Sequence, residues 1–152
     1  MLLKKIIVFC LILPLVAFAK PKITEELKIN PLDLGYKEQI VHFSKLYGGD
    51  EKIALAVAHC ESNGKHSAIG DGGHSRGIYQ FQKSTFLRME KEFGEDLDYG
   101  SRYDQIKLGS WALAQKKYQN EWTTFVAIKK GGKYSFYSSL NKRHYTVSCK
   151  IV

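Results

Sequence analysis

The residues best suited to acid–base chemistry are Glu61 and the polar groups that follow it: Ser62, Asp71, Ser75 and Gln80. Glu61 closes the stretch Asp50 to Gly64, which reads as a nearly all-apolar helix. Asp50 suits the N-cap, with Glu51 in the first turn. Ile53, Ala54, Leu55, Ala56, Val57, Ala58 and Cys60 leave almost no polar face, so the helix is expected to be buried. Ser62 and Asn63 break the pattern, and Gly64 suits the C-cap. A carboxyl in the last turn faces the negative end of the helix dipole. Apolar neighbours desolvate it, and both effects raise its pKa. An acid kept protonated near neutrality can hand a proton to a leaving oxygen. From the helix alone, a solvated or salt-bridged Glu is the commoner arrangement. The residues that follow reverse that balance.

Gly70, Asp71, Gly72 and Gly73 form a turn-rich segment that predicts a small hairpin or tight loop. Gly77-Ile78-Tyr79-Gln80-Phe81 reads as a strand, and Gly77 within it points to close approach by backbone or ligand. Gln80 offers a donor and acceptors beside it. Around this centre, Tyr36 to Tyr47 carries a helical stripe of Ile40, Val41, Phe43, Leu46 and Tyr47, ended by Gly48-Gly49. Ser84 suits the cap of a helix through Phe93, closed by Gly94. Ser101-Arg-Tyr-Asp104 fits a capping box and opens a helix to about Tyr118. Trp122 to Ile128 is a short apolar segment before Gly131-Gly132. The tail aromatics Tyr134, Phe136, Tyr137 and Tyr145 suit packing, with a sugar-stacking wall as the alternative.

The chain has 152 residues, enough for one domain with a real core. Residues 1–19 read as a secretory signal peptide: Lys4 and Lys5, an apolar run interrupted by Pro14, then Ala17-Phe18-Ala19. Residues 20–35, with Pro21 and Pro31, read as a linker, and 36–152 as the domain. A secreted or periplasmic location follows, with membrane contact only through the signal segment before cleavage. The net charge is +8, and +6 once residues 1–19 are removed, which suits an anionic polymer such as a bacterial cell wall. Nucleic acid is not expected, because no RNP motif, zinc-finger spacing or dense basic block is present. Cys60 and Cys149 could pair in an oxidising compartment, or remain a buried thiol and a terminal one. The five His residues show no ligand pattern, so no metal site is expected.

Three features share one order: helix-terminal Glu61-Ser62, a Gly-rich turn, then Gly77-Ile78-Tyr79-Gln80-Phe81. This arrangement resembles the lysozyme superfamily, and most closely its lytic transglycosylase branch, over roughly residues 36–133. The resemblance implies a mainly α (α+β) fold, a lysozyme-like helical domain with a small β-hairpin beside the catalytic helix. The family pairs a catalytic Glu-Ser with a Gly-Leu-Met-Gln-like strand; Ile78 and Tyr79 replace the Leu and Met here. Its third motif, Ala-Tyr-Asn-Ala-Gly, is degraded to Ala127-Ile128-Lys129-Lys130-Gly131. In the family that Tyr lies near the acid, and Tyr103 or Tyr134 is the expected substitute.

The resemblance makes Glu61 the catalytic acid. It makes Ser62, Asp71, Ser75, Gly77, Tyr79, Gln80 and Tyr103 the residues that bind substrate, a peptidoglycan glycan strand. Two-carboxylate glycosidases place a partner about 5 to 9 Å away across the scissile bond. The chicken-type lysozyme position for that partner is Ser75 here, while goose-type lysozymes carry acids at positions matching Asp71 and Gln82. One candidate partner therefore remains. The leading expectation is single-acid transglycosylation of the β-1,4 bond between N-acetylmuramic acid and N-acetylglucosamine, with no cofactor or metal, by a monomer. The alternatives are a goose-type-like hydrolase using Glu61 with Asp71, and an inactive wall-binding module.

Overall fold

A computed structural model of the chain describes residues 30–138 and 142–151. The signal-peptide reading of residues 1–19 and most of the expected linker lie outside the described residues. The last linker residues contain a short 3-10 turn, Pro31–Asp33, whose Pro31 carbonyl accepts the Gln39 carboxamide N–H at 2.9 Å.

Five α-helices are present among the described residues: α1 (Tyr36–Leu46), α2 (Glu51–Ser62), α3 (Lys83–Phe93), α4 (Arg102–Ala114) and α5 (Thr123–Lys129). Three two-residue strands, β1 (Ile69–Gly70), β2 (Ser75–Arg76) and β3 (Phe81–Gln82), form a small antiparallel sheet in the order β1-β2-β3. A second antiparallel pair, β4 (Lys133–Ser138) and β5 (Arg143–Ser148), closes the chain. The architecture is the mainly helical one expected, with the small sheet directly after α2.

Helix α2 starts where Asp50 Oδ1 accepts the backbone N–H of Lys52 (2.9 Å) and Ile53 (3.1 Å). It stops because Asn63 turns left-handed, at φ 54°, one residue before the expected Gly64. Ala54, Ala56, Val57 and Ala58 are buried along it, and α1, α4 and α5 pack around it. The small side chains let these neighbours approach closely. The core continues through Ile40, Phe43, Phe86, Met89, Ile106, Leu108 and Trp122. Helix α4 is capped by Ser101, whose hydroxyl accepts the Asp104 N–H at 3.2 Å, but it ends at Ala114, because Gln115 is extended. Of the stripe read on α1, Ile40 and Phe43 are buried, while Leu46 at the helix end is exposed.

Gly77 to Gln80 is a turn between β2 and β3 and not a strand. Gly77 sits at φ +79°, and Gln80 at φ 50°, so the chain reverses here where a strand would stay extended. The tail aromatics belong to the β4–β5 hairpin. Tyr134, Phe136 and Tyr145 stack on one face, with successive ring centroids 5.6 and 5.7 Å apart. Cys60 and Cys149 are disulfide-bonded, with Cα atoms 5.9 Å apart. This bond ties the residue before Glu61 to the end of the terminal hairpin.

Candidate active site

Glu61 is the penultimate residue of α2 and reaches a cleft of about 340 Å³ between that helix end, the three-stranded sheet and the start of α5. Asp71, Ser75 and Gln80 line the same cleft from the sheet side. Trp122 and Thr123 line it from the opposite side. Burial of Glu61 raises its pKa above the usual carboxylate range. The Thr124 hydroxyl, donating to Oε1 at 2.6 Å, pulls it down, and the Asp71 charge pushes it up. Burial is the largest of these effects, so the protonated form is favoured relative to a free carboxyl, with Oε2 left for the proton when Oε1 is held.

The sheet is built to stand beside this acid. Ser62 is buried, and its hydroxyl donates to Ala58 O (3.1 Å) and Ile78 O (2.8 Å). That second bond fastens the 77–80 turn to the end of α2. Gln80 Nε2 donates to Gly77 O (2.8 Å) and Ala68 O (3.2 Å), holding the turn closed against β1. Trp122 Nε1 donates to Tyr79 O at 2.8 Å, joining the turn to α5. Asp71 accepts a hydrogen bond from the Ser75 hydroxyl, across the loop that joins β1 to β2.

Of the residues expected to touch substrate, Asp71, Ser75 and Gln80 share the Glu61 cleft. Four do not. Ser62 spends its hydroxyl on two backbone carbonyls and positions the acid from behind. Gly77 lies outside the cleft and close against the Gln105 carboxamide, with which a Cβ there would collide. Tyr79 has no exposed surface, and its hydroxyl donates to Ala54 O at 3.4 Å. Tyr103 packs edge-on against Phe43, with ring centroids 5.3 Å apart, at the α1–α4 contact. Tyr79 and Tyr103 are large apolar rings first, and the core takes them.

Neither Tyr103 nor Tyr134 hydrogen-bonds the acid; Thr124 does. Sequence reasoning missed it because Thr124 lies in a segment read only as apolar. The available signal was spacing. Thr124 stands four residues before Ile128, the residue at the family's Tyr position, and so shares its face of α5. Thr85, Trp122 and Thr123 also line the cleft, as do Gln82 and Glu121, a carboxylate that no motif marks and that pairs with Arg88 at 2.7 Å.

Among the described residues no group of three or more His, Cys, Asp or Glu side chains could hold a metal ion. None of their helices is long and apolar enough to cross a membrane. Comparison with curated proteins finds no match. A family model for the transglycosylase SLT domain matches residues 40–133, well over half of the chain. The match covers Glu61, the sheet and Thr124 together. The chain therefore belongs to the transglycosylase SLT domain family, lysozyme-like lytic transglycosylases that cleave peptidoglycan.

Proposed function

We propose that this chain is an exported lytic transglycosylase that cuts peptidoglycan with Glu61 as its single catalytic carboxyl. The observation that carries this reading is the half-buried Glu61 in a polar cleft, its pKa raised by burial and one oxygen held by Thr124. Protonated Glu61 donates its proton to the glycosidic oxygen between N-acetylmuramic acid and N-acetylglucosamine. The bond from that oxygen to the muramic anomeric carbon breaks. The muramic N-acetyl oxygen stabilises the anomeric carbon in place of a protein nucleophile. Glu61, now a carboxylate held by Thr124, takes the proton of the muramic C6 hydroxyl. The C6 oxygen bonds to the anomeric carbon and closes a 1,6-anhydro ring, which restores protonated Glu61. Asp71, Ser75 and Gln80 border the sugar, and Ser62 and Gly77 hold the loop that shapes its berth. Export rests on the signal-peptide pattern of residues 1–19.

A hydrolytic reading has one observation in its favour. Asp71 lines the cleft, and its charge acts on Glu61. It would use Asp71 to activate water or to hold the anomeric carbon. Mass spectrometry of fragments released from purified cell wall separates the two. Transglycosylation gives 1,6-anhydro ends; reducing ends would overturn it.

A further inference from the structure

Strand β2 has two faces, and only one belongs to the cleft. Ser75 is buried and points to the Glu61 side, while Arg76, the next residue, emerges on the other. There a second cavity of about 550 Å³ is lined by His66, His74, Arg76, Lys83, Tyr99 and Gln105, among others. It is the larger of the two. Two cations and two imidazoles line it, and no Asp or Glu does. Neither Arg76 nor Lys83 has an ion-pair partner among the described residues. Asp98 and Asp104, beside Tyr99 and Gln105 in sequence, are outside the lining and bond backbone N–H groups. Asp98 Oδ1 accepts the Gly100 N–H at 2.7 Å, and Asp104 Oδ2 accepts the Asp98 N–H at 3.1 Å.

Two buried polar atoms of this lining also lack protein partners. Gln105 is 1% exposed; its Nε2 donates to Tyr99 O at 2.7 Å, and its Oε1 has no donor. His66 Nε2 lies 2.9 Å from Gly100 O, a group that can only accept, so Nε2 carries a hydrogen. His66 Nδ1 is left buried and unpartnered. Buried polar atoms are nearly always satisfied, and exceptions call for a partner. A ligand that suits this cavity brings negative charge to Arg76 and Lys83 and an N–H donor to Gln105. A peptide with a free carboxylate has both.

We propose that this cavity is a second subsite, which holds the carboxylate end of a peptide stem carried by the glycan strand in the Glu61 cleft. The inference rests on the peptidoglycan reading above and adds the part of the polymer that the cleft leaves unaddressed. The sheet between the cavities is narrow, since strands of two residues span only about 7 Å. A four-residue stem reaches about 14 Å when extended, enough to pass round the sheet edge. The loop residues Gly73 and His74 line the second cavity, and Asp71 of the same loop lines the cleft, so one short loop borders both sites. Cleavage would then favour strands that still carry their peptides.

The test compares glycan strands bearing stems with the same strands stripped by an amidase, both freed of phosphate polymers. Binding is measured on the Glu61→Gln protein, so that nothing turns over, with and without Arg76→Ala and Lys83→Ala. Both side chains are exposed, which leaves the core intact. Stem-bearing strands are expected to bind about tenfold more tightly than stripped ones, and the double substitution to bring that ratio near one. The difference should also shrink as salt is raised. An unchanged ratio in the double variant, or no preference in the parent, overturns the subsite. Released stem peptide should compete for stem-bearing strands. If inorganic phosphate at equal concentration displaces them equally well, the stem assignment is overturned. Wild-type lysis of stripped wall is scored separately. Protein that shows the binding ratio but cuts neither wall keeps the subsite and loses the enzymatic reading.

Discussion

Replacing Thr124 with Val tests how the acid is poised. The two side chains have nearly the same shape, and Thr124 is 7% exposed, so the chief loss is one hydroxyl. That hydroxyl donates to Glu61 Oε1 at 2.6 Å. Hydrogen bonds to a charged group contribute about 1.5–3 kcal/mol. The bond strengthens as Glu61 gives up its proton, so its loss falls mainly on the proton-donation barrier. At about 1.4 kcal/mol per tenfold, kcat drops about 10- to 150-fold. The sign of the pH effect follows from the same bond. It lowers the Glu61 pKa by favouring the carboxylate, so removing it raises that pKa further. The acid must be protonated to act, so the basic limb of kcat moves to higher pH while the maximum falls. The assay is turbidity loss of purified cell wall across pH, with Thr124→Ser as the control that restores the hydroxyl. A basic limb that stays in place, or a Val variant as active as wild type, would refute the assigned role.

Asp71→Asn removes a charge that raises the Glu61 pKa, so the basic limb of activity should move to lower pH. Under single-acid chemistry the maximal rate stays within about tenfold of wild type, whereas loss of nearly all lysis would favour the hydrolytic scheme. The Cys60–Cys149 bond joins positions 89 residues apart, so replacing both with Ser should cost about 2–5 kcal/mol in denaturant unfolding. An unchanged midpoint would show that the α5 and hairpin contacts alone fix the terminus. Glu61→Gln should stabilise the fold above the carboxylate range. A native pKa raised above the ordinary 4.5 means that protonated Glu61 contributes stability which is lost as pH rises through its native value. Gln has no such loss, so the variant's melting temperature should equal wild type in acid and exceed it at pH 8. A gap that does not grow with pH would contradict the burial argument.

Much of this was legible in the residues. The Asp50 cap and the run of small apolar side chains announced α2 and its burial, because both signals are local. The Glu-Ser and Gly-x-x-Gln pair marked two segments that the fold brings together, since the Ser62 hydroxyl donates to Ile78 O. The 77–80 segment misled because Ile78, Tyr79 and Phe81 look like a strand, while its shape is set by Gly77 and Gln80 in left-handed conformations. Tyr79 was assigned to substrate, yet its neighbours Trp122 and Phe81 enclose it in the core. Such packing depends on residues far along the chain. The hairpin β4–β5 was missed although Tyr134, Phe136 and Ser138 alternate with exposed residues at a period of two. Thr124 lies in a run that reads only as apolar, and its bond to Glu61 forms once α5 docks beside α2. The disulfide stood open until the fold placed Cys149 at the end of that hairpin.

That one carboxyl, Glu61, moves both protons of the reaction is the step on which the proposed chemistry depends. Its most direct test is lysis of purified cell wall by the Glu61→Gln protein beside wild type, with folding checked by circular dichroism. A folded variant is expected whose lysis falls by about 10²–10⁴-fold at every pH, because a carboxamide in place of the Glu61 carboxyl has no acidic proton to give. A folded variant that clears the wall at the wild-type rate would contradict it.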